Sequence, residues 1–145
     1  MILGLDTDVL VNWAMTGAPH HIASRHLLEH EIRKAGGRLG LTPQVLYEFL
    51  HVITDARRFP EPLPMHRARE LAANLWDAVE VERIVPSAGV AHRTLDLMGR
   101  FSLGRKRILD TALAATLEAA GVRRLATFNR GDFEIFPFLE VVMPG

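Results

Sequence analysis

The chain has 145 residues, 48% of them apolar and 23% charged, which suits one compact globular domain and excludes disorder and a two-domain arrangement. Its 17 basic and 17 acidic residues cancel, so whole-chain charge does not mark a nucleic-acid binder, although arginines cluster at Arg57-Arg58, from Arg100 to Arg107, and at Arg123-Arg124 with Arg130. With no cysteine, disulfides and zinc-thiolate centres are excluded and the cytoplasm is the expected compartment; no apolar run approaches the roughly 20 residues of a membrane span, and a chain that opens on a strand shows no cleaved leader.

Met1 to Leu5 is a short apolar strand whose carboxyl end is Asp6, and Thr7 to Trp13 continues as a helix. A second helix is expected from Pro19 to about Lys34, stopped by Gly36-Gly37. Arg38 to Leu41 gives the next strand. Thr42 then reads as an N-cap, with Pro43 at the first position of a helix whose apolar stripe is Val45, Leu46, Phe49, Leu50 and Ile53, and which carries Glu48. Three prolines between Phe59 and Pro64 make a loop. A helix follows over Met65 to Ala78, then a strand over Glu80 to Val85, and Ser87 is placed to cap a helix reaching about Arg100. Beyond Gly104 a helix spans Ile108 to Ala120, with Asp110 in its first turn and Gly121 as its C-cap. Arg124 to Phe128 is the fourth strand, Asn129-Arg130-Gly131-Asp132 is turn chemistry, and Leu139 to Met143 is a last strand. Strand and helix alternate throughout, which predicts an α/β layer on a parallel sheet.

Four acids stand out because they close apolar runs or ride on helices that must be half buried: Asp6, Glu48, Asp110 and Asp132. An ionised carboxylate in an apolar surround has a partner or a cation, or it protonates. Asp110 and Asp132 also have plain explanations, as a helix-start acid and a turn residue; Glu48, flanked by apolar residues at helical spacing, has none. In an open α/β sheet, ligands bind beyond the carboxyl ends of strands where strand order reverses. If the first and fourth strands are neighbours there, Asp6, Asn129 and Asp132 converge, with Glu48 and Asp110 supplied by flanking helices. Such an oxygen-only cluster is the ligand set of Mg²⁺ or Mn²⁺.

Four segments carry a resemblance: Leu5-Asp6-Thr7-Asp8-Val9-Leu10-Val11, Tyr47-Glu48-Phe49, Ile108-Leu109-Asp110-Thr111-Ala112-Leu113-Ala114-Ala115, and Thr127-Phe128-Asn129-Arg130-Gly131-Asp132-Phe133. In order and spacing they are similar to the successive motifs of PIN-domain ribonucleases, the VapC-type toxins of bacterial toxin-antitoxin pairs above all, from residue 2 to about 135. The resemblance implies one PIN domain over residues 1–145, a three-layer α/β/α fold on a parallel five-stranded sheet ordered 3-2-1-4-5. It implies a metal-dependent endoribonuclease with Asp6, Glu48, Asp110 and Asp132 as the acidic quartet, Asp6 and Asp110 as ligands of Mg²⁺ or Mn²⁺, and Thr127 and Asn129 in support. An RNA substrate, a cognate antitoxin and a homodimer are its implied partners, with the helices at Pro19 to Lys34 and Met65 to Ala78 as the surfaces for them. The chain departs from the family at Asp8, where asparagine or serine is commoner, so Asp8 either adds charge to the site or caps a helix.

Other readings compete. Asp6-Thr7-Asp8-Val9 also resembles the first motif of haloacid-dehalogenase-type phosphohydrolases, but Phe136 stands where they place a further acid, and Glu48 and Asp110 would have no use. His26-Leu27-Leu28-Glu29-His30 matches the H-x-x-E-H pattern of some zinc peptidases, a pattern also common on solvated helix faces. A non-catalytic interaction module of the same fold is disfavoured by the complete quartet.

Overall fold

The computed structural model describes residues 1–145. Five strands, β1 (Ile2–Leu5), β2 (Arg38–Leu41), β3 (Val81–Arg83), β4 (Arg124–Ala126) and β5 (Glu140–Val142), form one sheet ordered β3-β2-β1-β4-β5, every neighbouring pair parallel. This is the expected architecture and order. The chain winds outward from β1 to β2 and β3, then returns to start β4 on the other side of β1, so strand order reverses between β1 and β4. There the register pairs Leu5 with Ala126, which sets Asp6 beside Thr127 just past the carboxyl edge.

Seven helices cover the sheet: α1 (Thr7–Ala14), α2 (His21–Arg33), α3 (Pro43–Ile53), α4 (Met65–Asp77), α5 (Ala88–Arg100), α6 (Ile108–Ala119) and α7 (Arg130–Phe133). On one face Leu5, Leu39 and Leu41 lie under α1, α2 and α4. On the other, Gly4 presents no side chain, and a Cβ there would stand 3.0 Å from Leu117 of α6. The missing methyl lets α6 settle onto the central strand and carry Asp110 toward the carboxyl edge. None of these helices is long and apolar enough to cross a membrane.

Local chemistry fixes the elements around the site. Thr42 caps α3, its Oγ1 accepting from the Val45 N–H at 3.2 Å, with Pro43 at the first position. Val45, Phe49 and Ile53 of the predicted stripe are fully buried, which turns Glu48 toward the carboxyl edge of the sheet. Gly121, at φ 73°, closes α6 as expected of a C-cap glycine.

Several expectations are corrected. Strand β4 stops at Ala126 rather than Phe128, because the Phe128 N–H leaves the ladder for the Asp8 carboxylate at 3.1 Å. β3 is shorter than Glu80 to Val85, an edge strand limited by Pro86. Ser87 occupies the cap position of α5 without making the capping bond. A 3₁₀ turn, Arg105–Arg107, precedes α6, and Asp132 lies in the short helix α7 rather than in a turn.

Arg124, one of the clustered arginines, is committed to an ion pair. It points inward at the amino end of β4 and donates two bonds to the Glu31 carboxylate, at 2.7 and 3.1 Å, while Lys34 adds a third at 2.9 Å. Glu31 is 1% exposed, yet these partners, the Arg124 hydrogen bonds first, hold its carboxyl down at about 2 against the opposing effect of burial. This ion pair clamps α2 to β4 across 93 residues of sequence.

Candidate active site

Asp6 is the N-cap of α1 and the first residue past the carboxyl edge of β1, only 7% exposed. Its Oδ1 accepts from the Thr7 N–H and its Oδ2 from the Thr127 hydroxyl, both at 2.8 Å. The Thr127 oxygen in turn accepts from the Asn129 N–H at 3.0 Å. Thr127 thus holds the Asp6 carboxylate, and the Asn129 N–H holds the Thr127 hydroxyl oxygen. Those bonds do not compensate for burial and the charge of Asp8, which push the Asp6 carboxyl up to about 7.

Asp8 sits in the first turn of α1, facing the same space. The cap of α1 is Asp6, so Asp8 is not a capping residue, and its side chain lines the same cleft as Asp6. One carboxylate oxygen accepts from Phe128, the other is buried with no partner, and burial followed by the charge of Asp110 raises its pKa. Asp110 enters from α6 and is pushed up to about 6, by burial first and then by Asp6 and Asp132, with the Arg107 guanidinium opposing. Glu48 enters from α3, where Gln44 Nε2 donates to its Oε1 at 3.1 Å and to the Leu109 carbonyl at 3.1 Å. Gln44 thus sets Glu48 against the start of α6.

Asp6, Asp8, Glu48 and Asp110 line one open cleft of about 420 Å³, with Asn129, Asn12 and Arg58 at its sides. Asp132 does not line it. Its side chain is 43% exposed at the rim, 3.8 Å from Arg107 Nε, and Arg107 Nη2 donates to its backbone carbonyl. Arg107 is therefore committed to Asp132, whereas Arg58 is exposed beside the acids with no carboxylate partner. Sequence patterns gave no signal for Gln44, and Arg58 was visible only as half of a basic pair.

No three acidic or imidazole side chains stand close enough to cage a cation by themselves. The donor set nonetheless fits Mg²⁺ or Mn²⁺: all donors are oxygen, their charges raise one another's pKa, and one oxygen of Asp8 is buried without a partner. Magnesium keeps several waters and takes one or two carboxylates plus phosphate oxygens, so a closed protein cage is not required. Elsewhere, Glu29 of the H-x-x-E-H segment is paired on the surface with Arg25 at 3.2 Å and Arg33 at 3.9 Å.

Comparison with known proteins places this geometry. The chain is similar to the Mycobacterium tuberculosis toxin VapC20, described as cleaving the sarcin-ricin loop, at 21% identity and TM-score 0.74 over 97% of this chain and 98% of that one. It is similar to VapBC2 of Rickettsia felis, solved bound to a promoter DNA fragment, at 17% identity and TM-score 0.71 over the whole of both chains. A toxin-antitoxin complex from Klebsiella pneumoniae matches at 20% identity and TM-score 0.64, over 99% of this chain and 98% of that one. No curated protein sequence matches. At such identities the likeness carries the fold alone. The PIN domain family model matches residues 4–139, from the middle of β1 to the residue before β5, and the chain belongs to the PIN domain family.

Proposed function

We propose that this protein is a metal-dependent endoribonuclease, the toxin of a VapBC-type toxin-antitoxin pair, acting in the cytoplasm. The observation that carries the reading is the convergence of Asp6, Glu48 and Asp110, from three separate elements of a PIN domain, on one open cleft at the switch point of the sheet.

Asp6 and Asp110 would hold Mg²⁺ or Mn²⁺, which when bound supplies positive charge to the scissile phosphate and makes a water more acidic. The protein's own groups do the rest. Thr127 fixes the Asp6 carboxylate, so that the ligand is oriented before substrate arrives. Glu48, steadied by Gln44, is placed to accept a proton from the attacking water. Arg58 offers a flanking phosphate a guanidinium, which offsets the repulsion between an acidic pocket and a polyanion. An open cleft suits an unpaired strand, whose phosphates and bases are both accessible.

Asp132 acts from the rim, through its charge on Asp110 and its pairing with Arg107. Changing Asp132 to asparagine is expected to slow cleavage by about tenfold, in the 10- to 100-fold range of residues that orient metal ligands. Asp110→Asn should lose far more. Equal losses in rate assays of the two variants would place Asp132 among the ligands.

The antitoxin is the expected protein partner. Between α2 and α4 runs a groove of about 330 Å³ lined by Leu10, Trp13, Leu28, Ile32, Leu71 and Leu75, which fits the apolar face of a partner helix. The same two helices are the proposed surfaces for homodimerisation. The toxin reading is tested by inducing the chain and its Asp6→Asn variant in a bacterium. Growth arrest with RNA breakdown by the wild type alone supports it; normal growth with folded wild-type protein accumulating contradicts it.

A further inference from the structure

Ala18 and Pro19 form one side of the acidic cleft. They also line a second open cavity of about 750 Å³. No aspartate or glutamate lines this second space. Four histidines do: His20, just before α2, His21 at its first position, and His26 and His30, one turn apart on one face.

Asn12 of the cleft builds the entrance. Its side-chain oxygen accepts from the His20 N–H at 3.0 Å, and its backbone carbonyl meets His21 Nδ1 at 2.8 Å. A carbonyl has no proton to give, so Nδ1 carries the hydrogen and Nε2 of His21 is left free. The His20 ring stacks on Phe128, with centroids 4.6 Å apart and planes inclined by 25°. Phe128 is itself tied by its N–H to Asp8. The stacked pair is thus anchored to the acidic cleft, and His20 is exposed, leaving the opposite face of its ring open.

We infer that this histidine-lined groove is the path of the RNA strand flanking the cut: one unpaired base stacks on the free face of His20, and the adjoining phosphates run along His26 and His30. An aromatic platform beside a phosphate track is how proteins hold single strands without reading a sequence. Imidazole N–H groups complement phosphate, and Ala18 and Pro19, which line this cavity, also line the cleft where the same strand would be cut. The inference deepens the nuclease reading and rests on it for the direction of the path, but its test needs no cleavage.

Histidine-ring NMR spectra of the wild-type protein in EDTA, titrated with oligoadenylate or oligouridylate, should show shifts at His20, His26 and His30 and none at His51, His66 or His92. In fluorescence anisotropy with the same oligomers, His20→Ala should bind about 5- to 100-fold more weakly, while His20→Trp, which keeps a stacking surface, should bind like wild type. RNA bound with no change at His20, or His20→Ala binding as well as wild type, would overturn the inference. So would shifts at these histidines with an antitoxin but not with RNA. Should His20 respond to RNA while metal-dependent cleavage is absent, the strand path stands and the nuclease reading fails.

Discussion

Asp6→Asn is expected to lower metal-dependent RNA cleavage by on the order of 10²–10³-fold or more, and at the same time to make the metal-free protein more stable. The two effects share a cause. Asp6 is a charge placed for a cation in a position where the protein alone gives it too little compensation. Its folded-state pKa, about 7, exceeds the ordinary 3.8, so the folded protein binds this proton more tightly than the unfolded chain does. The stability contributed by that proton is fully present below about 3.8 and is lost as pH rises through 7. Asp110, pushed up to about 6, acts in the same direction. In EDTA, wild type should therefore melt several degrees lower at pH 7.5 than at pH 5, with a shallower slope in Asp6→Asn, which should melt a few degrees above wild type at pH 7.5. Mn²⁺ should stabilise wild type by mass action and leave the variant nearly unmoved. Thermal denaturation with and without metal checks this; a variant less stable than wild type in EDTA would show that the Asp6 charge is not held under strain.

Arg124→Met should cost about 3–5 kcal/mol, the usual penalty of stranding one member of a buried ion pair. Glu31 would keep Lys34 as its only cationic partner at a site 1% exposed. Replacing both Glu31 and Arg124 by methionine should recover most of the loss, because apolar packing serves such a site about as well. The pH dependence runs opposite to that of Asp6. Glu31 is held down at about 2 against an ordinary 4.5, so its contribution is present above 4.5 and lost as pH falls toward 2. Denaturant titration of the single and double variants measures both effects; a single variant within 1 kcal/mol of wild type, by the ordinary scale of surface changes, would contradict the clamp.

Much of the fold was legible because local signals agreed with the tertiary outcome. Gly36-Gly37 on one side and Thr42-Pro43 on the other bracket β2, and the strand runs from Arg38 to Leu41 as read. The sheet order came from the resemblance rather than from periodicity, which does not say which strands are neighbours. At the site, Asp6, Glu48 and Asp110 were recognisable as charges set in apolar runs. What was missed depends on contacts between distant residues. Gln44 matters because Leu109, 65 positions on, offers it a carbonyl, and Glu31 because Arg124 crosses 93 positions to meet it. The end of β4 was overrun because Phe128 has a strand-like side chain but sends its N–H to Asp8 instead of a neighbouring strand. Asp132, which already had a plain explanation in sequence as a turn residue, lies at the rim and is paired with Arg107.

The most direct test of the acidic cleft as a metal-dependent nuclease is the cleavage rate of end-labelled single-stranded RNA against Mn²⁺ concentration. It would be measured for wild type, Asp6→Asn and Asp110→Asn. Cleavage that rises with Mn²⁺, vanishes in EDTA and is lost in both variants is the predicted result. Cutting that persists in EDTA or in either variant, or no cutting by folded wild-type protein that binds Mn²⁺, would contradict it.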